Sequence, residues 1–191
     1  MNDESPQLHN TITMTDQQFW AIINAYSSED ESISKNGFQK FSNFDYDSIL
    51  SFEILLREKI KGLNTCHIKA VAAIYGLYDE GFNFLDFRMW IVSKGQDFYN
   101  KIKVDPESMS DFITDSYEID NLSFEILAYL ADMAFEVKYS NSENLKAPRE
   151  YLSQPYDEII VGYIEECPLD DDYLKKTYPK IYQGFLKNIV K

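Results

Sequence analysis

Five side chains near the middle of the chain have types that could do acid–base or anion chemistry: Asp79, Glu80, Asp86, Arg88 and Trp90. Carboxylates set among aromatics have their proton affinity raised by burial, which is how a carboxyl group becomes a general acid or base near neutral pH. Arg is the side chain that grips carboxylate or phosphate in a planar, bidentate way. The chain has only three, Arg57, Arg88 and Arg149. The same five residues also permit a plainer arrangement, in which Arg88 reaches back to Asp79 or Glu80 and locks a turn onto the following helix. The plainer reading is preferred here, because no second catalytic partner accompanies the group and such pairs commonly fix geometry.

Other chemistries find less support. Histidine is the usual proton carrier near pH 7, and only His9 and His67 are present. Cys66 and His67 are neighbours, and adjacent residues on a helix do not face each other, so they do not form a nucleophile–base pair. Asp170–Asp172 lacks the alternating oxygens, central Gly and distal Glu of a calcium loop and reads as an acidic helix start. Glu29–Glu31 reads as a solvated loop. There is no GxGxxG and no Walker-type lysine loop. No metal and no cofactor is expected.

Charge narrows the partners. The net charge is −14 over 191 residues. A polyanion repels phosphate backbones, so direct nucleic-acid binding is disfavoured, whereas a basic protein partner is complementary. The longest near-apolar run, "AVAAIYGLY", is too short to span a bilayer, and "MNDESPQLHNTITMTD" does not read as a signal peptide. Two cysteines, Cys66 and Cys167, show no metal-like spacing. Their small number suits a reducing cytoplasm, and a chain this long buries enough surface to need no disulfide.

The elements that must position these residues are helical. Thr15 with Gln18 forms a capping box, followed by a Phe19, Ile22, Ile23, Tyr26 face. "SSEDESIS" reads as a loop before a short helix over 34–43. Asp45 caps a helix with the stripe Ile49, Phe52, Leu56, Ile60, closed at Gly62. Asn64 or Thr65 opens the next, which exits at Gly76. Asn83 is the expected cap of a helix running to Ser93 or Lys94 and breaking at Gly95, with a continuation to about Lys103. Along that central stretch Phe84, Phe87, Ile91 and Phe98 fall near one stripe and Leu85, Met89 and Val92 cover its flank, so most of the aromatics are packing. Asp105-Pro106 opens a short helix, and Asn121 or Ser123 a longer one. Pro148, Pro155, Pro168 and Pro179 then interrupt, "DEIIVGYI" reads equally as strand or helical turn, and a last helical stretch follows from Asp171. The expected class is all-α: a disordered leader over 1–14, one helical domain over 15–139, and a looser extension over 140–191 packed on it.

The segment "DEGFNFLDFRMWIVSKGQDFYNKIKVDPESM" resembles the signature of the domain-of-unknown-function 4240 family. An acidic pair precedes Phe82. Phe87, Arg88, Trp90, Ile91, Val92 and Gly95 then match an F-R-x-W-(L/I)-(I/V)-x-x-G core, Phe98 follows, and Asp105 to Met109 match D-P-(D/E)-S-(L/M). Phe19–Trp20 and "SFEILAYLADMAFE" agree with its flanking helices, so the resemblance covers about 14–139. A Trp in the preceding helix and a Gly-Gly before the acidic pair are replaced by "IKAVAAIYGLY". The resemblance implies a mostly bacterial, cytoplasmic helical domain and no particular activity. Two functional expectations follow. The first is a non-catalytic interaction or regulatory module with an acidic surface. The alternative is a ligand-binding protein or enzyme with a pocket around Asp79, Glu80, Arg88 and Trp90.

Overall fold

In the computed structural model, residues 12–28, 31–78, 82–113, 122–152 and 167–189 are described. Among them the protein is all-α. The expected turn at Asp79–Glu80, the cap at Asn121 and the ambiguous "DEIIVGYI" lie outside the described residues.

Helix α1 (Asp16–Tyr26) starts at the capping box that its sequence encodes. The Gln18 amide donates to Thr15 Oγ1 at 3.2 Å and the Thr15 amide donates to Gln18 Oε1 at 2.8 Å. Met14 is buried in the core, and the Thr13 amide donates to Ser51 Oγ at 3.0 Å. Helix α2 (Glu31–Ser42) takes in part of the stretch read as a loop. Gly37 explains how closely it packs on α1, since a Cβ there would sit 2.7 Å from Ala25 Cβ.

Asp45 caps α3 (Tyr46–Gly62) through the Ser48 amide at 2.8 Å, and its whole predicted stripe of Ile49, Phe52, Leu56 and Ile60 is fully buried. Gly62 closes the helix for a different reason than a left-handed cap. A Cβ there would lie 2.8 Å from the Tyr99 hydroxyl, which donates to the Lys59 carbonyl. Thr65 caps α4 (Cys66–Ile74). Gly76, at φ +75°, ends it. The Leu77 amide donates to the Ala72 carbonyl and the Gly76 amide to the Ala73 carbonyl, a Schellman closure.

Helix α5 (Phe82–Ser93) is the centre of the molecule and packs against α1, α3, α4 and α6 (Gln96–Val104). Asn83 is inside it rather than its cap, because the helix already includes Phe82. The break falls at Gly95, as its sequence implies, with φ +91° and only 2.6 Å from a built Cβ to Asn24 Oδ1. Two constraints therefore demand glycine at 95 and none at 184, where a Cβ would meet nothing within 4 Å inside a helix. Gly95→Ala is expected to destabilise by about 1–3 kcal/mol, while Gly184→Ala stabilises by about 0.5–1 kcal/mol. Urea unfolding of the two variants reads the opposite signs.

Asp105 does not cap through its side chain. Pro106–Asp111 is a 3₁₀ turn, and the Asp105 carbonyl accepts from the Ser108 amide and hydroxyl instead. A second 3₁₀ turn, Glu125–Tyr129, runs into α7 (Leu130–Tyr139), which lies on α2 and α3. After the short turn α8 (Pro148–Tyr151), the extension ends in α9 (Asp171–Thr177) and α10 (Pro179–Ile189). Asp170 caps α9 by accepting from the Tyr173 amide at 2.9 Å, which accounts for the start of the acidic tract. The pair α9–α10 lies on α4 and the Pro106 turn, with Leu174, Tyr178 and Ile181 buried beneath it.

One contact runs against the expectation that no disulfide is needed. Cys66 and Cys167 are joined by a disulfide, their Cα atoms 5.3 Å apart and their positions 101 apart in sequence. Their spacing carries no pairing signal, because the fold, and not the local sequence, brings the extension back to the start of α4.

Candidate functional site

Two of the candidate residues on α5, Arg88 and Trp90, are buried in the core. Arg88 is 2% exposed. Its Nε donates to the Phe84 carbonyl at 3.2 Å and its guanidinium lies 4.4 Å over the Phe84 ring. Burial pushes the guanidinium down to about 9, so it stays charged at neutral pH. Trp90 is 8% exposed. It stacks on Phe87 (6.1 Å), meets Phe98 edge-on (5.5 Å), and carries Lys94 Nζ 5.2 Å above its ring. Asp79 and Glu80 lie outside the described residues.

Asp86 is the half-buried member of the group. Its Oδ1 is buried with no hydrogen-bond partner among the described residues. Desolvation, with the charge of Glu125, raises its carboxyl above the ordinary range, opposed by a hydrogen bond from Ser123. A raised folded pKa means that the native state holds the proton more tightly than the unfolded chain. The ionised group therefore costs stability above that pKa, and the cost vanishes below about 3.8, the unfolded value. Asp86→Asn is expected to raise the unfolding midpoint at pH 7, with the gain fading as pH falls through that window. Thermal melts at pH 7 and pH 4 check it, and a lower midpoint at pH 7 would contradict it.

A second charged group was not singled out by residue type. Glu53 is fully buried and Arg57 5% exposed, and Arg57 Nε donates to Glu53 Oε1 at 2.7 Å. Asp132 on α7 accepts from the Arg149 amide at 3.1 Å and lies within the fields of Arg57 and Arg149. Desolvation nevertheless raises its carboxyl. Arg149 stacks its guanidinium 4.8 Å over Tyr129. The available signal was the i, i+4 spacing of Glu53 and Arg57, one step round from the Phe52–Leu56 stripe. That spacing alone reads as an exposed helix pair; only the packing of α7 and α8 onto α3 buries it.

A cleft among the described residues lies elsewhere. It has a volume of about 280 Å³ and is bounded by Tyr75 and Ile113 on one side and by Lys180, Gly184 and Phe185 of α10 on the other. His67 lies beside α9 and α10, its Nδ1 2.7 Å from the Tyr178 hydroxyl, whose pKa burial pushes up to about 12. Among the described residues no three His, Cys, Asp or Glu side chains gather as a metal site, and no helix is long and apolar enough to cross a membrane.

Arg88 and Trp90 are therefore brought together in the core, Asp86 at its margin, and the buried Glu53–Arg57 pair on another helix. No curated protein and no solved structure matches the chain. A family model described as "Protein of unknown function (DUF4240)" matches residues 14–137, from buried Met14 to the last turn of α7, and takes in every described residue of the α5 signature. The chain belongs to that family.

Proposed function

We propose that the protein is a non-catalytic interaction module whose acidic surface docks a basic protein partner. The observation that carries this reading is the net charge of −14, together with where its carboxylates lie. Asp47, Glu58, Asp97, Glu136, Glu143 and Asp172 are all exposed. A surface of one sign attracts an oppositely charged partner and speeds encounter with it. Arg88 and Trp90, by contrast, are spent on packing, which favours this reading over a ligand pocket at the α5 signature. The reading sets the protein in the cytoplasm, where disulfides are rare and those present are usually transient, catalytic or redox-sensing.

Affinity capture from a lysate of the source cell tests it. A basic protein should be retained in stoichiometric amount at low salt and lost at about 0.5 M salt, where the screening length falls to a few ångströms. Capture of no stoichiometric basic protein would overturn the reading.

A further inference from the structure

Among the described residues, helices α9 and α10 meet the family domain along one seam, against α4 and the Pro106 turn. Helices α9 and α10 bury Leu174, Tyr178 and Ile181 against α4 and the Pro106 turn. Their described anchors also include the His67–Tyr178 hydrogen bond, the edge-on Tyr75–Phe185 contact at 5.8 Å, the Lys180 amide donating to Glu107 Oε1 at 2.9 Å, and the partly buried Leu169, Tyr173 and Tyr182 side chains. The cleft lined by Tyr75, Ile113, Lys180 and Gly184 leaves this seam incompletely packed, and Leu186 of α10 is 45% exposed. A segment with few buried apolar contacts opens locally at low free-energy cost. One covalent bond opposes that opening, and it joins Cys66, inside the residues matched by the family, to Cys167, outside them.

We propose that the Cys66–Cys167 bridge is a redox-operated clasp, opened by a dithiol reductant, that releases the α9–α10 pair from α4. Both cysteines are only half-buried, so a reductant can reach them. A thiolate of the reductant attacks one sulfur, the Cys66–Cys167 S–S bond breaks and a mixed disulfide forms. The reductant's second thiol then displaces the remaining cysteine. The protein gains two electrons and two protons as two thiols, and the reductant leaves as its cyclic disulfide. Cys66 is the first residue of the nine-residue α4. The helix dipole there stabilises a thiolate, which makes that sulfur the better leaving group. Release would bare the face of α4 that Leu174, Tyr178 and Ile181 cover.

The test uses the full chain, air-oxidised and then treated with dithiothreitol. Alkylation of the unfolded protein should find no free thiol before reduction and two after it. On reduction, amide exchange protection of α9 and α10 should fall at least tenfold more than that of α5. Trypsin should then cut at Lys175, Lys176 and Lys180 while residues 14–137 persist. The Cys66→Ser/Cys167→Ser variant should show the opened pattern without reductant and no further response to it. Two free thiols in the oxidised protein would overturn the proposal. So would unchanged protection, or protection lost in parallel in α5 and α9–α10, which would mark a staple of the whole fold. The reduced wild-type chain decides the matter even where the serine variant does not fold.

Discussion

Glu53→Leu lowers the free energy of unfolding by about 3–5 kcal/mol, the cost of removing one partner from a buried ion pair. Glu53 is fully buried and Arg57 nearly so, at 2.7 Å. The leucine fills much of the glutamate's volume, so the loss comes from stranding the guanidinium away from water without that carboxylate. The double variant Glu53→Leu/Arg57→Met removes both charges and is expected to regain most of the loss, since replacing a whole buried pair by apolar groups is often close to neutral. Urea unfolding of wild type, both single variants and the double variant closes the cycle. A single variant within about 1 kcal/mol of wild type would mean that the pair is solvated.

Phe87→Ala is expected to cost about 3–5 kcal/mol, through lost burial and the cavity left behind. Phe87 is fully buried beneath the stacked Trp90 ring, in the helix that packs against α1, α3, α4 and α6. Phe87→Leu should cost distinctly less, because it leaves a smaller void. Calorimetric or denaturant unfolding measures both. Truncation that left stability unchanged would contradict the assignment of this ring to the core.

These two sites mark how far the sequence could be read. Phe87 was legible, because α5 carries apolar residues at eight of its twelve positions and on much of its circumference, which marks a central helix. The caps at Thr15 and Asp45 and the exit at Gly76 were legible too, because each depends on a few neighbouring residues. Asn83 was misread as a cap because a good capping residue one position inside a helix looks the same in sequence. Asp105 was misread because its carbonyl, not its carboxylate, binds Ser108. Non-local facts were out of reach. The burial of Glu53–Arg57 depends on α7, whose sequence lies about seventy positions away, and the Cys66–Cys167 bridge depends on the return of the extension across 101 positions. At the candidate site, residue types left both a structural role and a ligand pocket open for Arg88 and Trp90; both side chains are buried, with Phe84 and Phe98 as neighbours.

The interaction reading is tested most directly by reversing exposed charge while leaving the core alone. Glu58, Glu136 and Glu143 are exposed, on α3, on α7 and in the turn after it. The triple variant Glu58→Lys/Glu136→Lys/Glu143→Lys should unfold within about 0.5 kcal/mol of wild type per substitution, as surface changes do. Capture from the source-cell lysate with wild type and this variant, side by side, is the deciding measurement. The account predicts that wild type retains a basic protein in stoichiometric amount and that the folded variant retains at least tenfold less of it. Equal retention by the two proteins, or no stoichiometric basic protein with wild type, would contradict it.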